Sequence, residues 1–172
     1  LYNLHGFNMR IAKRAKASGF NTYQVICPQI WAWKGSRIKA LKRDYNAVFP
    51  ALPFEDVILK KGGVNSQSLG HPILDTFDEL KFEKMPNQIA LLPGSRMQEL
   101  KMMLPAFVGL GLKFKELDFV IAGAPGRKMS DYSLATKAGF KVEFGKTREI
   151  LGSSVAAIVT SGTATLEASL LG

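Results

Sequence analysis

At 172 residues with 47% hydrophobic side chains, the chain has the material for one domain or parts of two, and its composition excludes a disordered polypeptide. A single cysteine, Cys27, excludes an intrachain disulfide framework, and no run of about 18 apolar residues offers a membrane-crossing helix. The net charge of +9 is unevenly spread: residues 1–43 hold nine basic side chains and no acidic one, and the 14 basic and 14 acidic residues that follow cancel.

Residues 7–18 are expected to form a helix, with Phe7, Ile11 and Ala15 on one face and Gly19 as its stop. The apolar run 22–27 reads as a buried strand, Pro28 opens a loop, and 31–43 reads as a second, basic helix. A strand over 45–51 follows, then a helix over 53–61 with Pro53 in its first turn and Gly62-Gly63 beyond its end. From 70 to 88 the pattern loosens around Pro72 and Pro86, and a domain boundary is placed there. Beyond it the expected order is strand 89–92, helix 96–112, strand 118–122, a weak helix 131–138, a helical turn 147–152, strand 155–159 and a helix from Thr163 onward. Strands alternating with helices imply an α/β fold with parallel sheets covered on both faces.

In such sheets ligands collect beyond the carboxyl ends of the strands, where loops enter helix N-termini. Two loops stand out. In Leu91-Leu92-Pro93-Gly94-Ser95-Arg96 a glycine permits close backbone approach, and Ser95 and Gln98 have capping-box spacing. Free amides at that helix start, with Arg96 as a forked cation, suit phosphate; the alternative is a well-capped helix that begins with a surface arginine. In Thr160-Ser161-Gly162-Thr163-Ala164-Thr165, small hydroxyl residues flank a glycine before Glu167, which could accept hydrogen bonds from a ribose diol or simply stabilise a helix start. Two such loops in one domain point to a nucleotide diphosphate.

Several signatures are missing: no Walker A sequence, no GxGxxG, no zinc-like Cys/His spacing, no GxSxG elbow and no D-x-D pair. A metal holding the diphosphate is therefore not expected, and helix dipoles with Arg96 would have to meet its charge. Trp31 and Trp33 stand two apart beside Lys34, Arg37 and Lys39, which in extended backbone suits an acyl-chain or membrane-interface surface; the other reading is two core tryptophans. The basic first quarter itself suits phosphate-bearing partners, including nucleic acid or anionic lipid, or forms a solvated face. His71, between Gly70 and Pro72, reads as a packed or hinge residue.

The stretches CPQIWAWKGSRIKALK, LPFEDVILKKGGV, LGHPILD, IALLPGSRMQEL and SGTATLEASLLG, in this order and spacing, resemble the lipid-A-disaccharide synthases over nearly the whole chain. The resemblance implies a two-domain GT-B architecture, with residues 1–71 the later part of an acceptor domain and 72–172 the first part of a UDP-binding donor domain. It implies transfer of 2,3-diacylglucosamine from UDP to 2,3-diacylglucosamine 1-phosphate with inversion, giving a β-1,6 disaccharide, without metal or other cofactor. Gly94, Ser95 and Arg96, with Ser161, Gly162, Thr163, Ala164, Thr165 and Glu167, match the family's UDP loops. A cytoplasmic protein peripheral to the anionic inner face of the inner membrane is implied, with no nucleic-acid partner.

One departure concerns the base. Where the family carries an aspartate-bearing segment before the first helix, this chain has Asn3 and Gly6, neither able to take a proton, so His5 becomes the candidate. A diverged terminus is the competing explanation. The alternatives to the full reading are another GT-B enzyme using a UDP-sugar, or a catalytically silent piece; a chain of this length is expected not to turn over by itself.

Overall fold

A computed structural model of the protein describes residues 5–28, 30, 35–76 and 82–171. Two compact units divide after Asp78, where the sequence reading changes domain after His71. The first runs α1 (His5–Ala17), β1 (Tyr23–Val25), α2 (Arg37–Asp44), β2 (Ala47–Phe49), α3 (Pro53–Lys61) and a short 3-10 turn (Pro72–Thr76). Gly19, at φ 83°, ends α1 as expected: its own amide and that of Phe20 turn back onto the carbonyls of Lys16 and Ala15.

Strands β1 and β2 pair in parallel, Gln24 opposite Val48, and the helices pack a core of Leu41, Val48, Leu59 and Val64 with Ala12, Cys27, Ile30 and Tyr45. Burial pushes the Cys27 thiol up to about 12, with Glu55 adding to the shift, so it is a packing residue and not a nucleophile. Two expectations fail here. β1 is short and largely exposed, Tyr23 and Val25 standing 59% and 62% open, because β2 is its one partner among the described residues. The second helix starts at Arg37, and Gly35-Ser36, expected inside it, form a turn; residues 31–34 lie outside the described residues. The basic excess is also partly spent on structure: Lys16 Nζ donates to Asn46 Oδ1, and Arg43 makes a forked pair with Asp44 at 2.7 Å.

The second unit is a four-stranded, all-parallel sheet. Its elements are β3 (Met85–Leu92), α4 (Met97–Lys113), β4 (Asp118–Gly123), a 3-10 turn (Met129–Tyr132) into α5 (Ser133–Lys137), β5 (Lys141–Phe144), α6 (Thr147–Ser153), β6 (Ser154–Val159) and α7 (Thr163–Leu171). The strand order is β5-β4-β3-β6. The central strands alternate as the pleat requires. Leu91 and Ile121 enter a core with Leu100, Leu104 and Phe107 of α4 and Tyr132, whereas Ala90, Leu92, Val120 and Ala122 face Ile150 and Leu151 of α6, with α7 beside them. Both faces are covered, as the α/β reading expects.

Strand β5 is absent from the sequence reading. Its four residues alternate charge with apolar side chains, Lys141 and Glu143 pairing with each other, and at a sheet edge they carry no continuous apolar signal. β3 begins at Met85, four residues before the expected start, because its first three residues are exposed and its pairing with β6 shifts register between Met85 and Ile89.

On α4, Leu100, Leu104 and Phe107 are at most 4% exposed, while Met102 is 77% exposed. Phe107→Ala is expected to cost about 3–5 kcal/mol in urea unfolding, and Met102→Ala less than about 0.5. Equal costs would mean that this helix does not pack by that face.

Candidate functional site

The strand order makes the site a matter of topology. From β3 the chain steps outward through β4 to β5, then returns to lay β6 on the other flank of β3. The loops after β3 and β6 therefore leave in opposite directions and open a crevice at their carboxyl ends, the place where ligands bind in open parallel sheets. A cleft of about 720 Å³ lies there, and its walls include Gly94, Ser95, Arg96, Ser161, Gly162, Thr163, Ala164 and Glu167. The two loops picked out by sequence thus share one cavity. The amide of Thr160 ties them, donating to the Leu92 carbonyl at 2.9 Å.

Thr165 is the exception. Both its amide and its hydroxyl donate to the Gly162 carbonyl, so it shapes the turn and does not line the cleft. The Thr160 hydroxyl, on the cleft wall, is buried without a partner among the described residues.

The β3–α4 junction differs from expectation in a way that changes the chemistry. Ser95 is not the cap: Arg96 is the N-cap residue, with φ −90° and ψ 144°, and the helix starts at Met97. The acidic side chain three residues on is then Glu99, not Gln98. One Glu99 oxygen accepts the amides of Ser95 and Arg96, both at 2.9 Å, and the other accepts the Arg96 guanidinium at 2.9 Å. The Arg96 backbone bond foremost, then its guanidinium and the Ser95 amide, hold the Glu99 carboxyl below its ordinary range. Two of the amides that the sequence leaves free for phosphate, those of Ser95 and Arg96, are occupied by a carboxylate. An arginine side chain has no acceptor to offer a helix amide, so the capping comes from Glu99 alone.

Two further walls were not legible in sequence. One is Ala124-Pro125, positioned by Tyr132: this fully buried phenol accepts the Ala124 amide at 2.8 Å and meets the Phe144 ring edge-on at 5.6 Å. The other is Gly145 to Glu149, including Thr147 and Arg148, which could be found only once β5 was seen to end at Phe144.

In the first unit, Arg37 opens α2 half-buried, Lys39 is exposed, and Gly6 lies exposed on α1. The expectations resting on Asn3, the His5 side chain, Trp31, Trp33 and Lys34 lie outside the described residues. No group of three or more His, Cys, Asp or Glu that could hold a metal occurs among the described residues, and none of their helices is long and apolar enough to cross a membrane.

The fold is of the α/β, GT-B type. A crystal structure of a TarM mutant from S. aureus, in complex with fondaparinux, alpha-GlcNAc-glycerol and UDP, matches at a TM-score of 0.52 with 15% identity, over 86% of this chain and 34% of that one. The family model for lipid-A-disaccharide synthetase matches residues 2–172. The lipid-A-disaccharide synthase of Myxococcus xanthus is 32% identical, covering 99% of this chain and 49% of its own length; that of Campylobacter jejuni strain RM1221 is 35% identical, covering 96% and 47%. The chain belongs to the lipid-A-disaccharide synthetase family, and it spans about half the length of the curated relatives it matches.

Gly94 offers a local test. At φ 94° a Cβ would be strained, and it would also sit 2.3 Å from Glu99 Oε2; Gly126, at φ 77°, has nothing within 4 Å. Gly126→Ala is expected to cost about 1–2 kcal/mol from backbone strain alone. Gly94→Ala should cost more in chemical unfolding, and most of the excess should be lost in a Glu99→Ala background, where only the Cβ at 3.0 Å remains. An excess that survives undiminished would place its cause elsewhere.

Proposed function

We propose that the cleft of the second unit binds the UDP moiety of a nucleotide sugar, and that the protein to which this chain corresponds is a glycosyltransferase of lipid A assembly. The observation that carries the reading is the meeting of the two sequence-marked loops at the reversal point of a parallel sheet. Helix α7 begins there, and its first amides, at Thr163 and Ala164, have no acceptor within the helix. They and the helix dipole suit a diphosphate, with Arg96, whose side chain is 81% exposed, as the added cation. Glu167 lines the cleft one turn into α7, which supports its acting as acceptor for the ribose hydroxyls.

The finer reading follows the family. The donor is UDP-2,3-diacylglucosamine and the acceptor 2,3-diacylglucosamine 1-phosphate; the acceptor 6-hydroxyl displaces UDP with inversion to give the β-1,6 disaccharide. As the glycosidic bond breaks, negative charge grows on the departing diphosphate, and Arg96 with the α7 amides stabilises it there, a contribution that needs no metal. Residues 1–71 belong to the acceptor domain and 72–172 to the donor domain, and His5 is the candidate for deprotonating the acceptor hydroxyl. The exposed Lys39 and Lys42 of α2 suit a phosphorylated acceptor at an anionic cytoplasmic leaflet, where each cation contributes about 1 kcal/mol.

Titration of the chain with UDP is expected to give saturable binding that Arg96→Ala weakens about tenfold or more, the loss of a charge-assisted hydrogen bond. Glu167→Ala should lower the preference for UDP over 2′,3′-dideoxy-UDP. Failure to bind UDP, together with tight, steeply salt-dependent binding to any DNA duplex, would replace this reading with a nucleic-acid module.

A further inference from the structure

Two helices of eight or more residues begin at the cleft, α4 with 17 residues and α7 with nine, and their starts are chemically unlike. An unmodified helix start presents unsatisfied amides and partial positive charge, and so attracts anions. At α4 the amides of Ser95 and Arg96, both residues of the cleft wall, are already met from within, and Met97 and Gln98, which follow, do not line the cleft. Glu99 spans the amides of Ser95 and Arg96 with one oxygen and the Arg96 guanidinium with the other, an arrangement of three charge-assisted bonds. The backbone is shaped to admit it: Gly94 adopts φ 94°, and any Cβ there would collide with the carboxylate. At α7 nothing equivalent occurs. Its first turn carries no acidic residue, and Glu167 lies beyond that turn.

We propose that Glu99 is the built-in anion of the α4 start: it closes those two amides to phosphate, holds the Arg96 guanidinium beside them, and so leaves α7 as the helix end that receives a diphosphate. The consequence for nucleotide binding rests on the reading of the cleft given above; the closure of α4 does not. Displacing Glu99 would break three charge-assisted bonds at once and bring a phosphate up against a carboxylate still tethered one turn away. A ligand that reaches the open α7 amides meets neither cost. Glu99 thereby sets where in the cleft negative charge can rest, and acts as a positioning residue through Arg96.

The test follows the backbone amides of the whole chain by heteronuclear NMR while inorganic pyrophosphate is added, in the unaltered protein, Glu99→Ala and Glu99→Gln. In the unaltered protein the amide signals of Ser95 and Arg96 should stay in place. In Glu99→Ala they should shift saturably, with an apparent affinity at these two amides raised about tenfold or more, the value of one charge-assisted bond. In Glu99→Gln, which keeps a neutral acceptor and the helix cap, the same two signals should move to a smaller extent; this arm decides the matter if the alanine variant does not fold. Pyrophosphate shifting Ser95 and Arg96 equally in the unaltered chain, or in none of the three, overturns the proposal. UDP added to the unaltered chain reports separately: if it leaves the amides of Thr163 and Ala164 unmoved, the nucleotide reading fails while the pyrophosphate comparison still decides the role of Glu99.

Discussion

Everything at the site depends on β3 being hydrogen-bonded on both sides to parallel strands that the chain reaches in opposite directions. A parallel ladder sends every strand's carboxyl end to the same side of the sheet, and the reversal of strand order pulls neighbouring loops apart there. The cavity is therefore a by-product of connectivity. Side chains such as Arg96 and Glu167 give it a character, but they do not create it. The buried pairs Leu91 with Ile121 and Ala90 with Val120 hold the floor rigid by packing on opposite faces, so the loops above are fixed at their roots.

How much of this could be read in advance follows from how each signal is carried. Apolar stretches at 89–92, 118–122 and 155–159 announce strands, and the structure has strands at all three: β3 and β4 are central with both sheet faces covered, whereas Val155, Ala156 and Ala157 of β6 are exposed. β5 escapes because an edge strand need not be apolar, and with it went the Gly145 to Glu149 wall. The two loops of the cleft were legible because glycine and small hydroxyl residues stand between a strand and a helix in both. The identity of the capping residue was not: Ser95 with Gln98 and Arg96 with Glu99 satisfy the same spacing one residue apart, and the carboxylate wins because an ionised acceptor bonds two amides and a guanidinium where a carboxamide would bond more weakly. Tyr132 left no trace, since its partner, the Ala124 amide, is a backbone group.

The two units handle charge differently. In the second unit Arg96 on the cleft wall stands beside Glu99, and Lys146 stands beside Glu143. In the first unit some of the excess is absorbed by local partners such as Asn46 and Asp44, while Lys39 and Lys42 remain exposed. Charge in the second unit is thus arranged around a defined cavity, whereas in the first it is spread over a surface.

The two rims of the second sheet are unequal. Along β5, Lys141 and Glu143 place charge on the outermost strand, a familiar guard against unwanted recruitment of a further chain. Along β6, Val155, Ala156 and Ala157 lie open to solvent with no ionised group among them, beside main-chain donors and acceptors that have no ladder partner on that flank among the described residues. Growth of this sheet, whether by more of its own polypeptide or by a stray neighbour, is therefore directional: the β6 margin is sticky and the β5 margin is defended.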